Sequence, residues 1–258
     1  MKIIDLSVSI VDGLPVDRAV QIPKIRYRRH TDEESVSTFL AAYPGLTREQ
    51  CLDGHGWAIE QSQLSTHTGT HVDAPYHYHP TMNNGEPAWT VDQVPLDWFI
   101  GDGVVVDFYD KPDGYVCTSE DFKAYFQKIG YQLKPGDIVL VRTNAMSAWG
   151  GPEYLDKGCG VGREGTLWLL DQGVRVTGTD AWSWDRPFSF TQKYIEETGD
   201  MSAIWEGHFV GIDVGYCHME KICNLELLPS RGFKVACFPV KVKGGTAGWV
   251  RPVAFLED

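Results

Sequence analysis

Between His67 and His77 every residue able to bind a metal ion stands at an odd position: His67, His71, Asp73 and His77. Thr68, Thr70 and Val72 favour extended backbone, while Gly69 and Pro75 disfavour helix, so the stretch reads as a strand whose side chains alternate between two faces. The four polar groups then share one face. A straight strand would hold His67 and Asp73 roughly 20 Å apart at about 3.3 Å per residue, too far for both to reach an ion about 2 Å from each. The chain must therefore bend, and Gly69 and Pro75 are the natural places for it. Two imidazoles and a carboxylate converge, with His77 close by.

Neutral imidazole and carboxylate suit zinc, manganese or iron, and the absence of cysteine from the stretch argues against a closed structural zinc site. An open, catalytic ion is expected. Such an ion would lower the pKa of a bound water towards neutrality and polarise a carbonyl oxygen, which is the chemistry of amide or ester hydrolysis. His77, whose ordinary pKa lies near working pH, is placed to take a proton from that water and return it to the leaving nitrogen. His79 continues the odd-numbered face, and whether it or His77 carries the proton is left open by the crowded Tyr76-His77-Tyr78-His79. His55 reads as an exposed loop residue.

The elements that must position these groups read as α/β. Apolar runs at 103–108 and 136–143 are typical of buried strands, and Ser119–Ile129 carries Phe122, Tyr125, Phe126 and Ile129 on one helical stripe with Ser119 as its cap. A helix follows over Glu164–Gln172, then a strand over Val174–Thr179. That strand ends at Asp180-Ala181-Trp182-Ser183-Trp184-Asp185, and aromatic residues so placed suit a pocket for a flat ring. Trp182 and Trp184, with Trp89, are the candidate substrate-binding residues. A helical insert is expected at about 31–56, a strand over Trp57–Thr66 leading into the histidine stretch, and another over Phe209–Val214. The run 232–242 reads as a final strand pair and 244–249 as a flexible turn.

The whole chain narrows the function classes. Its 258 residues, 43% of them apolar, can build one large domain spanning 1–258. The formal charge of -12 excludes a nucleic-acid partner, whose phosphates would be repelled, and leaves a small molecule. No apolar run approaches the ~20 residues that cross a bilayer, and the start does not read as a secretory signal. Six scattered cysteines without a Cys-x-x-Cys pair read as reduced core residues of a cytoplasmic protein.

The pattern His67-x-Gly69-Thr70-His71-x-Asp73-x-Pro75-x-His77 resembles the signature of the metal-dependent cyclase family that includes bacterial kynurenine formamidase and isatin hydrolase. The resemblance runs from Ile4-Asp5-Leu6-Ser7 to the final strands and implies a swivelling β/β/α fold of mixed sheets with flanking helices, assembled as a homodimer or homotetramer. It also implies that His208 and, twelve residues later, Glu220 complete the metal centre with His67, His71 and Asp73. One or two ions per chain, manganese or alternatively zinc, would serve it. Lys221 departs from the commoner pattern, in which asparagine follows the glutamate. The tryptophan-rich 180–185 run, the tail Thr246-Ala247-Gly248-Trp249 and the long insert look more like isatin hydrolase. The expected activity is opening of a cyclic amide, with an arylformamidase acting on N-formylkynurenine as the alternative, and a non-catalytic metal or small-molecule binding protein as the reading from another class.

Overall fold

The computed structural model describes residues 1–257. A nine-stranded mixed sheet is its centre. In chain order the strands are β1 (Lys2–Asp5), β2 (His71–Asp73), β3 (Ile100–Asp107), β4 (Ile138–Arg142), β5 (Val176–Thr179), β6 (Cys217–Glu220), β7 (Phe233–Ala236), β8 (Ala247–Trp249) and β9 (Val253–Leu256). In space they lie in the order β1-β9-β7-β3-β4-β5-β6-β2-β8. Strands β3 to β6 run parallel to one another, and the outer pairings of this sheet are antiparallel. The helices are α1 (Glu33–Ala42), α2 (Pro75–Tyr78), α3 (Ser119–Ile129), α4 (Arg163–Asp171) and α5 (Phe188–Thr198). Helices α3 and α4 lie in the crossovers β3 to β4 and β4 to β5, which parallel neighbours require.

Alternation along the central strands splits the core in two. Val104 and Val106 of β3 and Val139 and Val141 of β4 pack with Phe122, Phe126 and Leu169 of α3 and α4. Their neighbours Val105, Ile138 and Leu140 face the other way and join Val72, Met219 and Phe233. Fully burying each such side chain contributes roughly 1.5–3 kcal/mol. Helix α3 begins one residue earlier than its sequence suggests. Thr118 caps it, with its backbone N–H donating to Asp121 at 2.9 Å, and Gly130 closes it in the left-handed region.

Four expectations change. The residues 209–214 form no strand: His208–Ile212 is a 3-10 turn, and a short apolar run does not by itself distinguish helix from strand. The strand expected over Trp57–Thr66 is confined to Ile59–Gln63 and pairs with Lys24–Arg28 outside the main sheet, exposed along its length. The turn expected at 244–249 ends in β8, an edge strand bonded to β2, and of the run 232–242 only Phe233–Ala236 is strand. The helical insert is present as α1 with 3-10 turns at Arg48–Gln50 and Leu52–Gly54. All six cysteines are free thiols, and among the described residues no helix is long and apolar enough to cross a membrane.

Candidate metal centre

The histidine stretch is strand only over its middle three residues. Gly69 turns the chain before β2 with φ +65°, and Pro75 opens the helical turn α2 directly after it. The bend demanded by the spacing is thus supplied at both expected positions. The even-numbered threonines fasten it. Thr70 donates to the Lys221 carbonyl at 2.6 Å and accepts from Val8 N–H, while Thr68 donates to the Gln21 carbonyl at 2.9 Å.

Register supplies the other half. In the antiparallel pair β2·β6, Asp73 stands opposite His218 and His71 opposite Glu220. Directly opposed residues have Cβ atoms about 4.5–5.5 Å apart, so four ligand-type side chains project from one face while Val72 and Met219 enter the core on the other. His67 arrives from the turn, His77 from α2 and His208 from its 3-10 turn.

The resulting cluster is close-packed. His67 Nδ1 lies 2.9 Å from Asp73 Oδ1 and 3.2 Å from His71 Nε2, and His71 Nε2 is 3.2 Å from the same carboxylate oxygen. His218 Nε2 lies 3.2 Å from Asp73 Oδ2 and 3.3 Å from Glu220 Oε1. His208 Nε2 is 3.8 Å from Glu220 Oε1, and His77 Nε2 is 3.7 Å from Asp73 Oδ2. Two groups that could hold a metal ion emerge, Asp73 with His208, His218 and Glu220, and Asp73 with His67 and His77. Asp73 belongs to both.

These residues fit a divalent cation. Four imidazoles have one nitrogen engaged outside the cluster and the other facing in: His71 Nδ1 on the Gly69 carbonyl, His67 Nε2 on Thr246, His218 Nδ1 on the Tyr78 hydroxyl, and His208 Nδ1 on Asp185. Asp73 Oδ1 and His218 Nε2 are shielded from solvent without a hydrogen-bond partner among the described residues. Leaving such a buried group unsatisfied costs about 1–3 kcal/mol, which a bound cation removes. Burial opposes charge on Asp73, yet attraction from His67, His77 and His71 holds its carboxyl well below the usual range. Burial also opposes charge on His218, but its contacts with Asp73 and Glu220 push it up to about 9. The carboxylates draw positive charge into the cluster. His77 behaves differently: burial takes it down to about 4 against the pull of Asp73, so desolvation favours the neutral ring.

A cavity of about 420 Å³ opens over the cluster, with His67, His77, His208 and Glu220 on one side and Trp182, Phe188 and Trp205 as aromatic wall. Of the three tryptophans expected at a substrate, only Trp182 lines this cavity. Trp184 is completely buried, donating its indole N–H to Thr166 at 3.0 Å and its backbone N–H to Glu220 at 3.0 Å, and thus braces Glu220 instead. Trp89 packs on Trp98 beside the core. His79 is engaged with Thr81 at 2.9 Å, and His55 is exposed.

Sequence reasoning missed His218, Trp205 and the part played by Asp185. His218 sits two residues before Glu220, and the period of a strand would have placed both on one face. Asp185 accepts the backbone N–H groups of Gly207 and His208 as well as bonding the His208 ring, which fixes the whole turn. Trp205 stacks on His208 at 4.6 Å from a left-handed backbone conformation, φ +49°, and nothing in the sequence marks that.

Comparison with known proteins places the chain in a family. The family model named Cyclase matches residues 4–186. A kynurenine formamidase of Salinibacter ruber is 30% identical over 228 residues, spanning 85% of this chain and 93% of its own. A kynurenine formamidase of Erythrobacter litoralis is 28% identical over 195 residues, 76% of either chain. Among solved structures, an isatin hydrolase bound to the product analogue thioisatinate shares the fold with a TM-score of 0.78 at 17% identity, over 100% of this chain and 93% of that one. Isatin hydrolase A from Ralstonia solanacearum gives 0.75 at 23% identity, over 99% and 92%.

Proposed function

The chain belongs to the cyclase family, and from that membership and the geometry of its buried cluster we propose that it is a metal-dependent hydrolase cleaving the carbon–nitrogen bond of an aryl amide. The observation that carries the proposal is one carboxylate, Asp73, shared by two candidate ligand groups, with His77 Nε2 3.7 Å from it and opening onto an aromatic-walled cavity. Manganese is the expected ion, with zinc as the alternative. His67, His71 and Asp73 would hold one ion and Asp73, His208, His218 and Glu220 a second, and such ions supply Lewis acidity towards a carbonyl and make a water more acidic. The chain's own residues do the rest. His77 takes the proton of the attacking water and delivers it to the amide nitrogen as the bond to carbon breaks. Trp182 and Trp205 hold the aromatic ring, and the brace from Asp185 keeps His208 from turning away.

Two substrate readings each have support. Opening of a cyclic amide, giving a ring-opened carboxylate, is the first, supported by the isatin-hydrolase fold and a cavity walled for a flat bicycle. Deformylation of N-formylkynurenine is the second, supported by 30% identity to a kynurenine formamidase across most of the chain. Turnover of isatin and of N-formylkynurenine by the manganese-loaded protein, measured side by side, decides between them. A tenfold or greater advantage in kcat/KM names the substrate class, and no cleavage of either refutes both readings.

A further inference from the structure

Lysine is an unfavourable choice at position 221. Its backbone there is left-handed, φ +57°, a conformation that glycine and asparagine adopt more readily, and its side chain is fully buried. The contacts it makes join two parts of the site. Its Nζ donates to Asp17 Oδ1 and, at 2.9 Å, to the His67 carbonyl, and lies 5.5 Å from the ring centroid of Trp182. The same Asp17 oxygen accepts the Trp182 indole N–H at 2.8 Å. One buried ion pair thus links the backbone of a candidate ligand to the aromatic wall of the cavity. The segment that follows Asp17 is fastened too. Arg18, Val20 and Gln21 line the same cavity, and the Gln21 carbonyl accepts the Thr68 hydroxyl at 2.9 Å, so 17–21 is held at both ends beside the histidine stretch.

Apolar packing alone would leave the indole of Trp182 free to turn. The residue is half-buried, set against the small cluster of Val16, Tyr154 and Ala181 and edge-on to Phe188 at 5.4 Å, and apolar burial has no direction of its own. A hydrogen bond at the ring's edge has one. We propose that Asp17 and Lys221 are positioning residues: through the indole N–H they fix the plane of Trp182 relative to His67, so that a flat ring lying on it presents its polar group to the metal centre. Neither touches the reacting atoms. The inference rests on the proposed function for the ions alone; the placing of the ring rests on contacts within the chain.

Two hydroxamates read the ring apart from the ions and apart from turnover. Acetohydroxamate and benzohydroxamate carry the same chelating group and only the second carries a ring, so the ratio of their affinities for the manganese-loaded protein, measured by titration calorimetry, reports how well the wall is placed. The wild type is expected to bind benzohydroxamate about tenfold or more tighter, the effect that burying a phenyl group brings. Asp17→Leu combined with Lys221→Asn removes both buried charges and the indole's acceptor and relieves the backbone at 221, so the fold, followed by circular dichroism, is retained. In that variant the ratio should fall about fivefold, with acetohydroxamate affinity and metal per chain near the wild-type values. Trp182→Phe, which keeps an aromatic face and the ion pair but has no indole donor, should lower the ratio too. A ratio unchanged in either variant, an equal weakening of both hydroxamates in the first, or no preference for the ring in the wild type overturns the proposal. A ratio that depends on residues 17 and 221 in a protein cleaving neither isatin nor N-formylkynurenine would refute the hydrolase reading and leave the positioning role standing.

Discussion

In the proposed reading His77 and Asp73 divide the labour of the cluster: His77 lines the cavity, where burial favours its neutral form, and Asp73 is shielded, its carboxyl held well below the usual range by the surrounding histidines. Replacing His77 with alanine removes a proton carrier and is expected to lower kcat by about 10²–10⁴-fold while bound metal stays near the wild-type amount. Parallel loss of metal would make His77 a ligand. Asp73→Asn weakens the one carboxylate common to both ligand groups and is expected to empty the centre, whereas His218→Ala removes a ligand from a single group. Metal per chain, measured by plasma emission spectroscopy, should fall towards zero in the first variant and to a lesser extent in the second; equal retention in both would deny Asp73 its shared place. Three of the proposed ligand positions, His67, His71 and Asp73, stand out in the sequence because of their spacing. His218 does not, because its strand is four residues long and the Cys217–Glu220 alternation is too short to stand out from the surrounding loop.

At the scale of elements the centre depends on the β2·β6 register and on what pins its ends. Lys221 directly follows β6 in a left-handed conformation, φ +57°, and ties Asp17, and through Asp17 the Trp182 indole, to the His67 carbonyl. Both charges of the Lys221–Asp17 pair are buried, so Lys221→Met leaves a carboxylate without its partner and should destabilise the fold by about 3–5 kcal/mol in urea unfolding. Adding Asp17→Asn should recover part of that loss, and a cost below about 1 kcal/mol for the single variant would contradict the pairing. Asp180 offers a pH signature at the end of β5. Burial pushes its carboxyl up to about 7, against two donations from Thr143. Between its unfolded value near 4 and about 7 the folded protein keeps this proton while the unfolded chain loses it, so stability falls as pH rises through that window, by a few kcal/mol at most. Asp180→Asn should flatten that slope, and an unchanged slope would show that other groups set it. The central strands and α3 were legible from apolar runs and a helical stripe, whereas β8 was hidden behind Gly244 and Gly245, whose turn signal says nothing of the edge strand that follows.

The whole molecule separates what holds the fold from what performs the chemistry. The two cores sit on opposite faces of the sheet and contain none of the six expected ligand and base residues, His67, His71, Asp73, His77, His208 and Glu220. The α/β class and mixed sheet could be anticipated because they follow from local patterns; the pairing that brings residue 73 to residue 218 could not, since it is decided by packing across 145 positions. That separation also makes the central claim directly accessible. The measurement is divalent metal content and amide hydrolysis of the purified protein before chelation, after chelation and after manganese is restored, with circular dichroism recorded throughout. The account predicts bound ions, hydrolysis of isatin or N-formylkynurenine that chelation abolishes and manganese restores, and a spectrum that stays folded. A protein that binds no divalent ion, or one that hydrolyses these amides undiminished after complete removal of metal, would contradict it.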